Sequence, residues 1–315
     1  MRPRHAFLRA VDSTKLLTGS ADNCCKLWEV KTGECLHTWK HTVRSLPAAS
    51  PHGDMGLLLM LRSSGQAPVR DVRFAVGDKK FLTVLDNIMG NIPTIFVWEL
   101  ELNNLANHPD CPLLDIKGHT SKINRCLWGP LNELLYSGSD DTTLRTWDSK
   151  TGKPVQTIEG VHTKKITDMQ FSWDMSLLVT SCLDMAVRLF DAKTLQLLKS
   201  YDSERPLNSA CLSPLANCPY IICGGGQDAM SVTTTSANQG KFEAIIFDHV
   251  YDDELGCVTG HFGPINTLCM SPTGRSFASG GEEGYMRINH LPENYFTAFE
   301  KKTAEAFGRP DPFGK

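Results

Sequence analysis

The stretch YSGSDDTTLRTWD, residues 136–148, packs serine, aspartate and tryptophan into a short span, and a histidine, His119, stands upstream of it. Two readings compete. His119, Asp141 and Trp147 are the residue types of a catalytic cleft, and they are equally the types that fasten a repeated structural unit. A catalytic constellation is needed once, whereas a structural one recurs at fixed spacing, so the rest of the chain decides.

It recurs. TGSADNCCKLWEVKTGECLHTW from Thr18 and TSCLDMAVRLFDAKTLQLLKSY from Thr180 follow the same plan as SGSDDTTLRTWDSKTGKPVQTI from Ser137. In each, a turn acid precedes an aromatic by six positions: Asp22 and Trp28, Asp141 and Trp147, Asp184 and Phe190. Weaker copies set Asp228 before Thr234 and Glu283 before Asn289, and Trp98 ends another copy after an insertion. The intervals from Trp147 to Phe190 and from Phe190 to Thr234 are 43 and 44 residues. A repeat of roughly 40–45 residues, made of short β-branched or aromatic runs bounded by Gly, Asp and Ser, corresponds to four strands. Histidines precede three copies, at His119, His162 and His261. The pattern resembles the WD repeat of β-propellers. The expected fold class is therefore all-β, with about six copies visible. That family's structural role for the motif is a buried hydrogen-bond chain, which implies that His119, Ser137, Asp141 and Trp147 fasten the strands of one blade. Only this copy keeps every member.

Composition excludes several other classes. The net charge of -3 provides no basic face for unaided nucleic-acid binding. The longest apolar run, residues 55–61, falls far short of the roughly 20 residues that span a bilayer, so no membrane role is expected. MRPRHAFLRAV lacks the apolar core of a signal peptide, and HAFLRAV reads more simply as a strand. The 11 cysteines are odd in number and mostly lone within apolar runs, as expected of reduced cysteine in the cytoplasm. Cys24 with Cys25, and Cys35 with His37 and His41, invite a zinc reading. No paired C-x2-4-C halves exist, so no metal is expected.

Other motifs dissolve on inspection. CGGGQDAM from Cys223 has neither the Lys-Ser/Thr of a phosphate loop nor a following helix, so its glycines read as backbone devices and no cofactor is expected. KTGE and KTGK fall where a glycine turn must join the third and fourth strands of a copy. YDDELG from Tyr251 reads as a solvated acidic loop or a contact for a basic partner. Residues 43–68 read as a loop insertion, ahead of VRDVRFAVGDKKFLTVLD, which looks like the first two strands of a blade. A propeller over residues 1–300 and a flexible tail at 301–315 complete the expected layout.

The copies that break the pattern are the most specific. SERPLNSACLSP from Ser203, GGGQDAMSVTTTSANQGKFEA from Gly224 and VTGHFGPINTLCMSPTGRSFASGGEEGYMRI from Val258 resemble the i-subunit family of eukaryotic translation initiation factor 3. INRCLWGPLNELL from Ile123 and LLTGSADNCCKLW from Leu16 are similar to the same family. The resemblance implies a seven-bladed, non-catalytic scaffold that binds the b and g subunits and rides on the small ribosomal subunit. The family's first copy has no counterpart before residue 11, which implies a six-bladed, open or incomplete ring. The stretch holding Asp202 and Glu204 is one where the family meets its partners, which makes these two acids the candidate contact residues. The alternative role is a WD-repeat adaptor of a TGF-β-type receptor kinase.

Overall fold

The computed structural model describes residues 6–9, 14–41, 68–86, 92–101, 111–215, 219–226, 242–293 and 295–297. The inserted segment up to residue 67, the tail at 301–315, and Asp228 and Thr234 lie outside the described residues. The chain divides into two compact units, Met1–Thr157 and Ile158–Lys315. Every sheet in both is antiparallel, and each corresponds to one copy of the repeat.

The first unit holds three four-stranded blades. Blade 1 runs β1 (Ala6–Arg9), β2 (Lys15–Gly19), β3 (Cys24–Glu29) and β4 (Cys35–Lys40). Blade 2 runs β5 (Val69–Phe74), β6 (Lys80–Leu85), β7 (Thr94–Glu99) and β8 (Leu114–Lys117), so β5 and β6 fall within the run expected to open a blade. Blade 3 runs β9 (Ile123–Trp128), β10 (Leu134–Ser139), β11 (Leu144–Asp148) and β12 (Pro154–Ile158), which ends at the unit boundary. The second unit continues the plan. Blade 4 is β13 (Ile166–Phe171), β14 (Leu177–Cys182), β15 (Ala186–Asp191) and β16 (Leu197–Asp202). Blade 5 is β17 (Leu207–Leu212), β18 (Tyr220–Gly225), β19 (Ala244–Asp248) and β20 (Glu254–Val258). Blade 6 has three strands among the described residues, β21 (Ile265–Met270), β22 (Ser276–Gly281) and β23 (Met286–His290).

The middle strands bury both faces, so in KFLTVL and YIICGG successive side chains from Phe81 and from Tyr220 onward are all buried. In β6, Phe81 and Leu85 face the cluster shared with blade 1, beside Leu17, Leu27 and Trp39. Leu82 and Val84 point the other way, into the cluster with Ile123, Cys126 and Trp147 of blade 3. β18 repeats the division: Ile221 and Cys223 pack toward blade 4, Tyr220 and Ile222 toward blade 6. Period-two alternation thus builds a core between blades rather than beneath one sheet. Each large apolar side chain so buried stabilises by roughly 1.5–3 kcal/mol.

Polar links on the innermost strands add register. In the first unit the Cys126 N–H and the Arg125 guanidinium both donate to the buried Asp71 carboxylate, at 3.2 Å each. In the second, Ser209 Oγ donates to Asp168 and accepts the Leu268 N–H at 3.0 Å. Asp71, Asp168 and Ser209 each stand third in their strand, and the accepted N–H groups, of Cys126 and Leu268, each stand fourth in theirs.

Strand register corrects one element of the repeat count. Leu135 faces Trp147 and Leu178 faces Phe190, and the same pairing in blade 5 sets Ile221 against Phe247. Phe247, not Thr234, is the aromatic of this copy. The β18–β19 connection, residues 226–243, is too long for a six-residue count from Asp228 to reach it.

Candidate functional site

The structure brings His119, Ser137, Asp141 and Trp147 into one continuous chain. His119 enters from the loop before β9, Ser137 lies on β10, Asp141 in the β10–β11 turn and Trp147 on β11. Trp147 Nε1–H donates to Ser137 Oγ at 2.8 Å. Ser137 and His119 Nε2 are 2.7 Å apart, and His119 Nδ1 and Asp141 Oδ2 are 2.8 Å apart. A carboxylate only accepts, so Nδ1 carries the imidazole proton and Nε2 takes the serine hydroxyl hydrogen. Burial alone would raise the Asp141 carboxyl, but hydrogen bonds from His119 and Thr143 hold it well below the usual carboxylate range.

Serine, histidine and aspartate in this order have the connectivity of a hydrolytic triad. Access decides against that chemistry here. Ser137 is 0% exposed and Trp147 1%, and the serine oxygen already accepts the indole N–H, leaving no room for an acyl group.

The same chain recurs with substitutions. In blade 2, His41 Nε2 lies 2.8 Å from Thr83 Oγ1, which also accepts Trp98 Nε1–H at 3.0 Å. In blade 6, His261 joins Glu283 and Ser279, each at 2.7 Å, and Asn289 Nδ2 stands in for the indole donor at 3.4 Å. His41, Thr83, Thr180 and Ser279 were not singled out in the sequence as members. The 42–67 segment separates His41 from its blade, which hid the signal.

Blade 4 inverts the polarity. Phe190 has no N–H, and Arg188 donates to His162 Nδ1 at 2.7 Å. His162 therefore carries its proton on Nε2 and donates to Thr180 Oγ1 at 2.9 Å. Burial, and then the Arg188 charge, pull the His162 imidazole down to about 4. His162, Cys182 and Asp184 place one donor atom each within 4.8 Å of one another, a metal-like grouping. Its cation is already present: the Arg188 guanidinium sits 2.7 Å from both His162 Nδ1 and Asp184 Oδ2.

The two candidate contact acids lie elsewhere in the second unit. Asp202 ends β16 and Glu204 follows in the loop to β17, and both line a cleft of about 270 Å³ between blades 4 and 5. Glu243 and Glu254 join them, with Arg205 the one basic lining residue. The cleft thus presents four carboxylates against one guanidinium. Its floor explains the glycine run: a Cβ on Gly225 would lie 2.1 Å from the Pro206 carbonyl oxygen, and Gly226 has φ of 134°. Glu254 belongs to the acidic run YDDELG, whose reading as a contact for a basic partner fits its place here, whereas Glu243 carried no separate sequence signal.

Among the described residues no helix is long and apolar enough to cross a membrane. The EIF3I family model matches residues 55–300, and that of the WD domain, G-beta repeat, matches residues 4–29. Eukaryotic translation initiation factor 3 subunit I of Bombyx mori is 38% identical over 284 residues, covering 90% of this chain and 78% of that protein. The protein of the same name in Kluyveromyces lactis is 39% identical over 290 residues, covering 90% and 76%. That of Aspergillus oryzae is 38% identical over 282 residues, covering 89% and 76%.

Proposed function

This chain belongs to the EIF3I family, and from that premise we propose that it is a cytoplasmic, non-catalytic scaffold subunit of translation initiation factor 3. The blades supply rigid surfaces on which other subunits dock, the b and g subunits by family resemblance, and through them the small ribosomal subunit. In this reading the chain from Trp147 to Asp141 holds a blade together and performs no chemistry.

The observation that carries the docking role is the acid-lined cleft. Asp202, Glu204, Glu243 and Glu254 on one concave site favour a partner segment rich in lysine or arginine. Asp202 and Glu204 are its exposed rim and serve as contact residues. The receptor-adaptor alternative draws no support from the relatives, which are named as translation initiation factor subunits.

The test is purification of the tagged chain from cytosol with identification of co-eluting proteins. Initiation-factor subunits are expected, and their absence overturns the assignment. Asp202→Lys with Glu204→Lys should lower affinity for the captured subunit roughly tenfold, because each exposed charge pair contributes up to about 1 kcal/mol and reversal adds repulsion. The melting temperature should stay unchanged. Affinity unaltered by the double reversal places the contact outside the cleft.

A further inference from the structure

We propose that Lys199 is the positioning residue of the acid-lined cleft. Its ammonium ties the β19–β20 turn of blade 5 to β16 of blade 4, and so holds the carboxylates of the two walls at the separation a basic segment meets. The inference deepens the docking reading above and rests on it.

Lys199 lies on β16, three residues before Asp202. Its Nζ donates to the His249 carbonyl at 2.9 Å, to the Val250 carbonyl at 2.9 Å and to Asp252 Oδ1 at 2.7 Å. An ammonium has three N–H donors, so this one spends all of them on a single turn. Tyr201, two residues along the same face of β16, donates its hydroxyl to the His249 carbonyl at 3.2 Å. Its ring lies 5.4 Å from that of Phe247, on the far side of the same boundary between blades. The turn is itself closely held. Asp248 N–H donates to the Asp253 carbonyl at 2.8 Å and Asp252 N–H to that of Asp248 at 3.0 Å. Asp248 Oδ1 accepts the N–H groups of Val250 and Tyr251 as well. A turn so constrained passes the tie on to β20, which opens with Glu254 two residues after Asp252.

The tie therefore sits beside a cleft carboxylate on each wall. Asp202 and Glu204 belong to the blade 4 side, Glu243 and Glu254 to the blade 5 side. At about 3.4 Å per strand residue, Lys199 stands roughly 10 Å from Asp202 along β16, and Asp252 closer still to Glu254. Like charges on facing walls repel, and a cross-blade bond to the wall that carries Glu254 opposes their spreading.

The blade plan does not require this lysine. Lys199 faces Leu189, and the same place on the outer strand is His37 opposite Leu27, Leu114 opposite Val97 and Gly256 opposite Ile246. A cation stands here in the blade that borders the acidic cleft. The Lys199 side chain is 32% exposed and that of Asp252 57%, so the ion pair contributes little to global stability and acts on local geometry.

The sign of one substitution separates positioning from charge. Lys199→Gln removes a positive charge near the cleft, which by electrostatics alone would tighten the binding of a cationic peptide. Lost positioning weakens it. Hexa-arginine titrated calorimetrically into the whole chain should bind Lys199→Gln roughly tenfold more weakly than wild type, and Lys199→Arg, which keeps the charge and the donors, within about twofold of wild type. Without peptide, amide exchange across residues 249–254 should be faster in Lys199→Gln than in wild type or Lys199→Arg. Unchanged exchange in Lys199→Gln overturns the proposal, and so does an affinity equal to or above that of wild type. Failure of the wild-type chain to bind hexa-arginine overturns the docking reading instead, and the exchange measurement then decides the tie by itself.

Discussion

At the scale of single residues, the blades differ in how each supplies a donor to the same buried oxygen. Trp147 and Trp98 supply an indole N–H, Asn289 an amide, and in blade 4 the histidine itself takes over because Phe190 cannot. The tautomer of the histidine thus follows from the residue on the third strand. His119→Ala leaves the Ser137 hydroxyl and the Asp141 carboxylate without their shared partner. Each orphaned buried group costs about 1–3 kcal/mol, so chemical denaturation should show a loss of that size. An unchanged denaturation midpoint would refute the fastening role.

At the scale of elements, inner strands are tied by side chains that accept the next strand's backbone N–H. Asp71→Ala removes the acceptor for the Cys126 N–H and the counter-charge of Arg125. The guanidinium is 23% exposed and recovers some hydration, so the expected cost is roughly 2–3 kcal/mol rather than the full penalty of a buried charge. Urea titration of the variant checks this, and a midpoint within error of wild type would remove the inter-blade role. Much of this element plan was legible in the chain, because Trp28, Trp98, Trp147 and Phe190 sit on third strands at their repeating positions. The fifth copy was legible too, in Phe247-Asp248, which matches Phe190-Asp191 and Trp147-Asp148. Counting from the turn acid missed it, since loop length varies freely while strand register does not. His41 was missed for a related reason: a histidine followed by a long connection resembles a stray ligand until its threonine is known. Of the cleft, Asp202, Glu204 and, within the acidic run YDDELG, Glu254 could be picked out, but that they converge with Glu243 could not, because they reach the cleft from separate segments of blades 4 and 5.

At the scale of the whole molecule, buried neutral histidines make stability depend on pH in both units. Burial pulls His41 down to about 4 in the first unit, and burial with the Arg188 charge does the same to His162 in the second. Burial lowers His249 as well. In the unfolded chain these imidazoles titrate near the ordinary value of about 6.5. Between that value and about 4 the unfolded state binds more protons, so stability rises with pH across the window and falls on acidification. Lowering the pH from about 7 to about 5 crosses roughly 1.5 units of that window, costing on the order of 2 kcal/mol for each of His41 and His162, with His249 adding in the same direction. Asp141 extends the loss below about pH 4, because its carboxyl is held low in the fold and must be protonated on unfolding. Urea midpoints should therefore fall steadily from neutral pH toward pH 5. His41→Gln should flatten the slope by one histidine's share while keeping a side-chain oxygen able to accept the Thr83 hydroxyl hydrogen. A stability flat between pH 7 and pH 5 would mean that these imidazoles are solvated in the native state, and the buried chains in blades 2 and 4 would then be wrong.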